Sequence, residues 1–311
     1  MTPTQKALYL FGGIVALLAV ASIVGRVLAA RADGPNDVVA NLKARVRAWW
    51  VMVAIFAVAF VMGKNTTLVL FGLASFFALR EFITLTPTRA GDYLPLVLSF
   101  FVLVPVQYAL IGYDQYGTFA IFIPVYAFLL LPAVATFAAD VDSFLERSAK
   151  IQWGVMITVY CISYAPALML LKIPGYENQN ALLMFFLLLI VQLSDVLQYV
   201  FGKLFGKHKL APRVSPSKTV EGLVGGGLST TLIGGAMWWM TPFTWQQSLA
   251  MSFLIVVMGF LGGLTLSAVK RSLGAKDWGV MIEGHGGMLD RLDSVSFAAP
   301  VFFHVTRFFF T

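Results

Sequence analysis

Residues 267–293 concentrate charged and polar side chains, although the rest of the chain is strongly apolar. The residues whose side chains are suited to chemistry are Ser267, Lys270, Arg271, Lys276, Asp277, His285, Asp290, Arg291 and Asp293. Apolar runs long enough to enter a bilayer lie on both sides of this stretch. Charge next to a bilayer is costly, so we expect these residues to serve a function.

Asp290 and Asp293 are three residues apart, so on a helix they share one face. The glycine-rich segment 284–287 precedes them and offers backbone N–H groups for close approach by a ligand. Paired carboxylates beside such a turn and beside cations suit Mg²⁺ held against phosphate oxygens. In the structural alternative, Arg291 pairs with both carboxylates and His285 makes an ordinary hydrogen bond.

A second polar loop, residues 202–219, is strongly basic. Ser215 and Thr219 are good N-cap residues, and Pro216 suits a first helical turn. A helix beginning there would direct free backbone N–H groups at an anion, and Lys218 would add a positive charge. The alternative is an ordinary basic loop beside a membrane.

Asp195 lies inside an apolar run, where a carboxylate needs a partner or a role. A functional role beside the two loops is one interpretation. A hydrogen bond to Ser194 or to a neighbouring helix is the other.

The elements that position these residues are predicted to be apolar helices. The chain has 311 residues, of which 59% are hydrophobic and 12% are charged, whereas about 25% are charged in a typical soluble domain. This composition predicts an all-α, polytopic integral membrane protein. The single cysteine, Cys161, excludes an intrachain disulfide and a cysteine-based zinc site.

The formal net charge of +7 has two interpretations, nucleic-acid binding and contact with anionic membrane lipids. No soluble segment carries a basic stripe with interleaved aromatic residues, so we expect no nucleic-acid partner.

Nine apolar runs predict about nine transmembrane helices, followed by a C-terminal apolar segment. The nine runs cover residues 8–24, 48–62, 67–78, 94–111, 118–137, 155–171, 181–201, 220–240 and 249–269. The C-terminal segment, 295–310, is interrupted by Pro300, His304 and Arg307. We interpret the first run as a retained helix rather than a secretory signal, because it is long and the rest of the chain is also apolar.

The distribution of Lys and Arg predicts the orientation. Of the 22 such residues, 17 fall in the odd-numbered loops and 3 fall in the N-terminus and the even-numbered loops. Because cytoplasmic loops carry the excess of basic residues, loops 202–219 and 270–294 are expected on the cytoplasmic side of the cell (inner) membrane. We divide the chain into N-terminal transmembrane helices, 1–180, and a catalytic transmembrane region, 181–311.

The two loops together resemble a known signature. The motif Ser267-x₂-Lys270-Arg271-x₄-Lys276-Asp277-x-Gly279-x₃-Glu283-x-His285-Gly286-Gly287-x₂-Asp290-Arg291-x-Asp293 is similar to that of the phosphatidate cytidylyltransferases, or CDP-diacylglycerol synthases. The resemblance extends to Asp195 and to residues 207–222. The first half of the chain resembles the family only in hydropathy.

This resemblance implies that the protein condenses CTP with phosphatidate at the membrane, giving CDP-diacylglycerol and pyrophosphate, with Mg²⁺ as cofactor. It implies that Asp290 and Asp293 bind the metal. The other implied catalytic residues are Lys270, Arg271, Lys276, Asp277 and His285. The implied substrate-binding residues are Ser215, Lys218, Glu221, Ser267, Gly286, Gly287, Arg291 and Asp195.

The chain departs from the family pattern on the helix before the motif. Members usually carry Asp where Gly263 stands and an acidic residue where Leu266 stands, and small residues where Leu197 and Gln198 stand. These departures indicate a divergent subgroup. Either Asp195 or Asp277 completes a metal site, or the protein is a weakened or silent paralogue that binds anionic lipid or nucleotide.

Other functional classes are less consistent with the sequence. A transporter would often show inverted repeats, and we find none. The acidic pattern of CDP-alcohol phosphotransferases is also absent. The sequence leaves a homodimer open.

Overall fold

The computed structural model describes residues 2–31, 37–281 and 286–311. Helices dominate this part of the chain. They are α1 (Pro3–Arg31), α2 (Asp37–Met62), α3 (Lys64–Leu85), α4 (Ala90–Gly112), α5 (Tyr116–Ala138), α6 (Phe144–Leu170), α7 (Asn180–Phe205), α8 (220–236), α9 (Trp245–Ser272) and α10 (Leu289–Phe310). A two-stranded antiparallel hairpin, β1 (Lys209–Ala211) and β2 (Ser215–Thr219), lies between α7 and α8.

The helices confirm the predicted fold class. Within the described ranges, seven are long and apolar enough to cross a membrane, namely α1, α3, α4, α5, α6, α7 and α9. Helix α2 contributes a shorter apolar part, Val46–Met62. The protein is therefore an all-α polytopic membrane protein, while nine crossings stay a prediction.

Helix α10 lies at the centre of the packing, although its sequence is the least uniformly apolar. Val295, Ala299 and Phe302 are fully buried, and the helix packs against α9, α6, α7 and α3. The C-terminal segment is thus a core helix. Its contacts with α3 and α6 cross the proposed boundary between residues 180 and 181, and that division stays a prediction.

Contacts between loops sort the helix ends into two groups. At one end, the Lys6 ammonium donates to Gln179 Oε1 at 2.8 Å, and the Lys64 ammonium pairs with Asp114 at 3.2 Å. These residues lie in the N-terminus and the even-numbered loops, which the sequence assigned to one side. This grouping is expected, because successive helices run in opposite directions and alternate loops therefore lie at the same end.

At the other end, a cluster of five charged residues joins the region between α3 and the start of α4 to the region between α5 and the start of α6. We call Arg89, Asp92, Asp140, Asp142 and Arg147 the charge clamp. Arg147 pairs with Asp92 at 3.0 Å and with Asp140 at 2.8 Å. Arg89 pairs with Asp142 at 2.9 Å. All five charges therefore have partners inside the cluster.

The glycine-rich start of α8 lets this helix lie unusually close to α7. A Cβ atom at Gly226 would be 2.4 Å from the backbone nitrogen of Gln198, which is closer than any side chain allows. The same segment, Gly222–Gly226, forms a π turn, a local irregularity that often occurs near functional sites. Because α8 follows β2 directly, this packing fixes the hairpin beside α7.

Candidate active site

Four polar side chains converge where α7, β2, α9 and α10 meet. The Ser294 hydroxyl lies within hydrogen-bond distance of both Asp195 Oδ2, at 3.2 Å, and Asp293 Oδ1, at 3.3 Å. Lys218 approaches the same point from β2. Asp195 is exposed, so the group is accessible from outside the protein. We call Asp195, Lys218, Asp293 and Ser294 the Gly263 cluster, because the last three lie around that glycine.

Gly263 leaves room at the centre of this cluster. A Cβ atom at this position would lie 3.1 Å from Lys218 Nζ, 3.2 Å from Ser294 Oγ and 3.9 Å from Asp293 Oδ2. A side chain at residue 263 would therefore begin between the Lys218 ammonium, the Ser294 hydroxyl and the Asp293 carboxylate. Gly263, where members of the resembled family usually carry Asp, thus lies at the centre of the cluster.

Lys218 enters the cluster without a close partner. Its ammonium has no hydrogen bond or ion pair within the described ranges, and it lies 4.6 Å from the ring centroid of Phe260, where the aromatic face attracts a cation. Burial lowers the pKa of Lys218, whereas the charges of Asp195 and Asp293 act in the opposite direction. The side chain is thus a cation available to an anionic ligand.

The local fold around Lys218 differs from the predicted helix start. Residues Ser215–Thr219 form a strand that pairs with β1, and the following helix begins at residue 220. The interpretation of Ser215 and Pro216 as a helix start is wrong, because cross-strand hydrogen bonds satisfy this backbone. The capping role of Thr219 is confirmed, since its hydroxyl accepts from the Gly222 N–H at 3.0 Å.

Glu221 closes the hairpin loop. Its carboxylate accepts from the backbone N–H groups of Lys207 at 3.1 Å and His208 at 3.2 Å, and contacts His208 Nδ1 at 2.6 Å. Hydrogen bonds from its own N–H, from the His208 ring and from these two amides hold the pKa of Glu221 at about 2. The sequence predicted a substrate-binding role, whereas the contacts observed here fix the loop.

Asp290 organises the segment before α10. Its Oδ1 pairs with the Lys270 ammonium at 2.6 Å, and the two side chains are 5% and 9% exposed. Its Oδ2 accepts from the N–H groups of Trp278 and Gly287, both at 2.8 Å. Both oxygens thus have protein partners, and the metal-binding role of Asp290 stays a prediction.

Glu81, on α3, is a residue that the sequence analysis missed. Its two oxygens accept from the N–H groups of Met288 and Leu289, each at 2.8 Å, and so cap the start of α10. A Cβ atom at Gly287 would lie 2.3 Å from Glu81 Oε2, so a larger residue there would displace this carboxylate. The apolar run on α3 ends shortly before Glu81, and no spacing in the sequence links this residue to Met288.

Arg291 forms no hydrogen bond or ion pair with the Gly263 cluster. Its side chain makes no hydrogen bond or ion pair among the residues that the structure describes, and its buried Nε has no partner. The predicted alternative, in which Arg291 pairs with Asp290 and Asp293, is not observed, because Lys270 pairs with Asp290 instead. Arg291 lines an apolar cavity on another face of α10.

Two further predicted residues, Arg271 and Ser267, donate hydrogen bonds to backbone carbonyl groups. Arg271 donates from Nε to the Val214 carbonyl at 3.4 Å and from Nη1 to the Ala275 carbonyl at 3.1 Å, which joins the two polar loops. The Ser267 hydroxyl donates to the Gly263 carbonyl at 2.6 Å, within α9.

The remaining predicted residues lie in the segment between α9 and α10. Lys276 and Asp277 are exposed and make no hydrogen bond or ion pair in the described part of the chain. Gly286 adopts a positive φ of 81°. Gly284 and His285 lie outside the described residues, so the predicted catalytic role of His285 stays a prediction.

The donor set suits a cation that completes its coordination with phosphate. No group of three or more metal-ligating side chains occurs in the ranges that the structure describes. Asp195 and Asp293 nevertheless meet at one hydroxyl. Two carboxylates with substrate phosphates are a common way to hold Mg²⁺ in proteins.

Comparisons with known proteins identify the family. The model of the cytidylyltransferase family matches residues 43–309. An uncharacterized protein of Escherichia coli K12, YnbB, is 37% identical over 298 residues, which are 95% of this chain and 96% of that protein.

Two named enzymes match a shorter region. The phosphatidate cytidylyltransferase of Staphylococcus aureus strain COL is 41% identical over 130 residues, 40% of this chain and 50% of that enzyme. The phosphatidate cytidylyltransferase of Staphylococcus saprophyticus is 43% identical over 119 residues, 37% of this chain and 45% of that enzyme. The chain thus matches about half the length of each of these enzymes. The family match, which runs from α2 to the end of α10, shows that the chain belongs to the cytidylyltransferase family.

Proposed function

We propose that the protein transfers a cytidylyl group from CTP to a lipid phosphate, as a step of phospholipid biosynthesis. The proposed acceptor is phosphatidate. Its phosphate oxygen bonds to the α-phosphorus of CTP, the bond from that phosphorus to the bridging oxygen breaks, and pyrophosphate leaves. The product is CDP-diacylglycerol. The reaction is assigned to the cytoplasmic side of the cell (inner) membrane, where the basic loops are expected and CTP is present.

The observation that carries this proposal is the Gly263 cluster. Two carboxylates and an ammonium converge on one accessible point, yet no ion pair or direct hydrogen bond joins Lys218 to either Asp. Such an open set suits a ligand that carries both phosphates and a cation. The family match and the names of the staphylococcal relatives support the same chemistry.

Each residue has a proposed role in positioning and charge neutralisation, the two effects that dominate phosphoryl-type transfer. Asp195 and Asp293 hold Mg²⁺, which when bound neutralises charge on the nucleotide phosphates. Lys218 contacts a phosphate directly. Arg271 and Lys276, both exposed, attract the nucleotide. Asp290 and Glu81 are positioning residues, because they hold the segment between α9 and α10.

The direct test is formation of CDP-lipid by purified protein with radiolabelled CTP, Mg²⁺ and phosphatidate. We expect labelled CDP-diacylglycerol that depends on both Mg²⁺ and phosphatidate. The Staphylococcus aureus phosphatidate cytidylyltransferase serves as the positive control. Absence of product across several lipid phosphates, with that enzyme active in parallel, would refute the proposal.

Gly263 favours a second candidate, a silent paralogue that binds anionic lipid or nucleotide. The Gly263→Asp variant separates the two. The Cβ atom fits if the ends of Lys218 and Ser294 move by a few tenths of an ångström, and the new carboxylate would join Asp195 and Asp293. A large gain of turnover indicates a weakened enzyme. Tight CTP binding without turnover in both proteins supports the silent paralogue.

A further inference from the structure

An apolar cavity lies between α1, α2, α3, α7 and α10. Its volume is about 210 Å³. The lining includes Phe11 from α1, Val53 from α2, Ala74 from α3 and Leu189 from α7, and nearly all of it is apolar. A site of this kind receives hydrocarbon and excludes water.

Among the lining residues that the structure describes, Arg291 carries the one charged side chain. Met288, Leu292 and Val295 line the same wall and share its helix face, at the spacing of successive turns. The guanidinium has no protein partner within the described ranges, and its Nε is buried. A buried N–H group without an acceptor is costly, so an anion would complete the site.

The cavity lining includes a residue exposed on the outer surface and residues that lie close to the Gly263 cluster. Ile55 lines it and is also 45% exposed on the outside of α2, so the cavity opens laterally among the apolar helices. At its inner end, Gln192 donates to the Arg291 carbonyl at 3.3 Å. Gln192 lies one turn before Asp195 on α7, and Arg291 lies two residues before Asp293 on α10. The positive charge of Arg291 acts on the Asp195 carboxylate, so an anion bound to Arg291 lies close to the cluster.

We propose that this cavity is the lipid site, in which Arg291 binds the phosphate of phosphatidate and the cavity takes part of an acyl chain that enters between α1 and α2. The inference rests on the proposed function, because it names the place from which the lipid phosphate reaches the cluster. Bilayer tails are as apolar as the cavity wall, so the wall supplies shape and Arg291 supplies selectivity for a phosphate.

The test measures binding of radiolabelled long-chain phosphatidate to detergent-purified protein in the absence of CTP. Val53→Trp and Leu189→Trp fill the cavity from α2 and α7. Val58→Trp is the matched control, since Val58 is exposed on the same helix and does not line the cavity. We expect about tenfold weaker binding in both cavity variants and unchanged binding in the control.

Arg291→Gln tests the phosphate contact. Loss of a charge-assisted contact is expected to weaken phosphatidate binding by about ten- to a hundredfold. Unlabelled competitors separate the sources of affinity. Diacylglycerol lacks the phosphate and glycerol 3-phosphate lacks the chains, so neither should compete as well as phosphatidate with the wild-type protein.

Two results would overturn the inference. In the first, Val53→Trp and Leu189→Trp are folded, as judged by thermal unfolding and gel filtration, and bind phosphatidate as the Val58→Trp control does. In the second, glycerol 3-phosphate competes as well as phosphatidate.

If the protein forms CDP-lipid and the cavity variants keep the wild-type KM for phosphatidate, the lipid site is wrong and the proposed reaction stands. If no CDP-lipid forms but the cavity variants lose phosphatidate, the lipid site stands and the proposed reaction fails.

Discussion

The charge clamp and the Gly263 cluster both include residues of loops that the sequence assigns to the same side of the membrane, but they are built differently. In the clamp, Arg147 and Asp92 are 6% and 2% exposed and contact each other at 3.0 Å. In the cluster, Lys218 has no such partner among the described residues, and Asp195 is exposed. The first group is closed on itself, and the second is open to a ligand.

The difference separates charges that hold the fold from charges that are available for chemistry. Removing one partner of a closed, buried pair leaves the other charge without compensation, so stability falls. Removing one member of an open group breaks no existing pair, so function falls while the fold persists. Each of the following changes tests this distinction.

The largest expected effect is that of Arg147→Met on stability. Asp92 would remain buried without its cation, at a cost of about 3–5 kcal/mol. Arg89→Met is the matched control, because Arg89 is 51% exposed and exposed pairs contribute about 0.2–1 kcal/mol. Thermal unfolding in detergent measures both. Equal unfolding temperatures for the two variants would mean that the clamp is not structural.

Asp293→Asn should instead reduce turnover with little change in stability. Loss of one charge-stabilising group typically lowers kcat by about 10²–10³-fold, and no ion pair of Asp293 is broken. CDP-lipid formation and thermal unfolding are measured together. Asp142→Asn, in the exposed part of the clamp, is the control and should keep full activity. An unfolded Asp293→Asn protein would place this residue among the structural charges.

The Glu81→Gln substitution is expected to affect both the stability of the fold and turnover. The amide has one acceptor oxygen, so either Met288 or Leu289 loses its N–H partner, at a cost of about 1–3 kcal/mol. We expect faster hydrogen exchange at residues 287–289 and reduced turnover. Glu146→Gln, an exposed carboxylate on α6, is the control. Unchanged exchange at these amides would contradict the capping role.

The smallest expected effect is the pH response of the hairpin loop. The folded pKa of Glu221 is about 2, below its ordinary value of 4.5. The stabilisation is therefore complete above about pH 4.5 and is lost as the pH falls from there toward 2. Hydrogen exchange at Lys207 and His208 should rise over this range in the wild-type protein. In Glu221→Gln it should be high throughout, and an identical pH profile in the two proteins would contradict the assignment.

Local signals in the sequence predicted much of the architecture. Each apolar run coincides largely with a helix, because the run length reflects the bilayer that the helix must fit. Thr219 was found as a cap because capping depends on neighbours within one turn. The start at Ser215 was wrong because strand pairing with β1 overrides the local preference of Ser215 and Pro216.

The parts of the site that the sequence did not predict depend on distant contacts. Glu81 binds N–H groups 207 and 208 residues further along the chain. The pairing of Asp290 with Lys270 rather than Arg291 follows from how α9 packs on α10. Spacing showed that Asp290 and Asp293 share a helix, but it did not show that Asp290 already holds two backbone amides.

The cap that Glu81 places on α10 also sets an order of events during synthesis. Helix α3 leaves the ribosome early, whereas Met288 and Leu289 are made near the end of the chain. Until then, a carboxylate that is 9% exposed in the finished protein has no amides to bind. The nascent chain therefore carries the Glu81 side chain without the two backbone partners that it has in the folded protein, until residues 288 and 289 have been made.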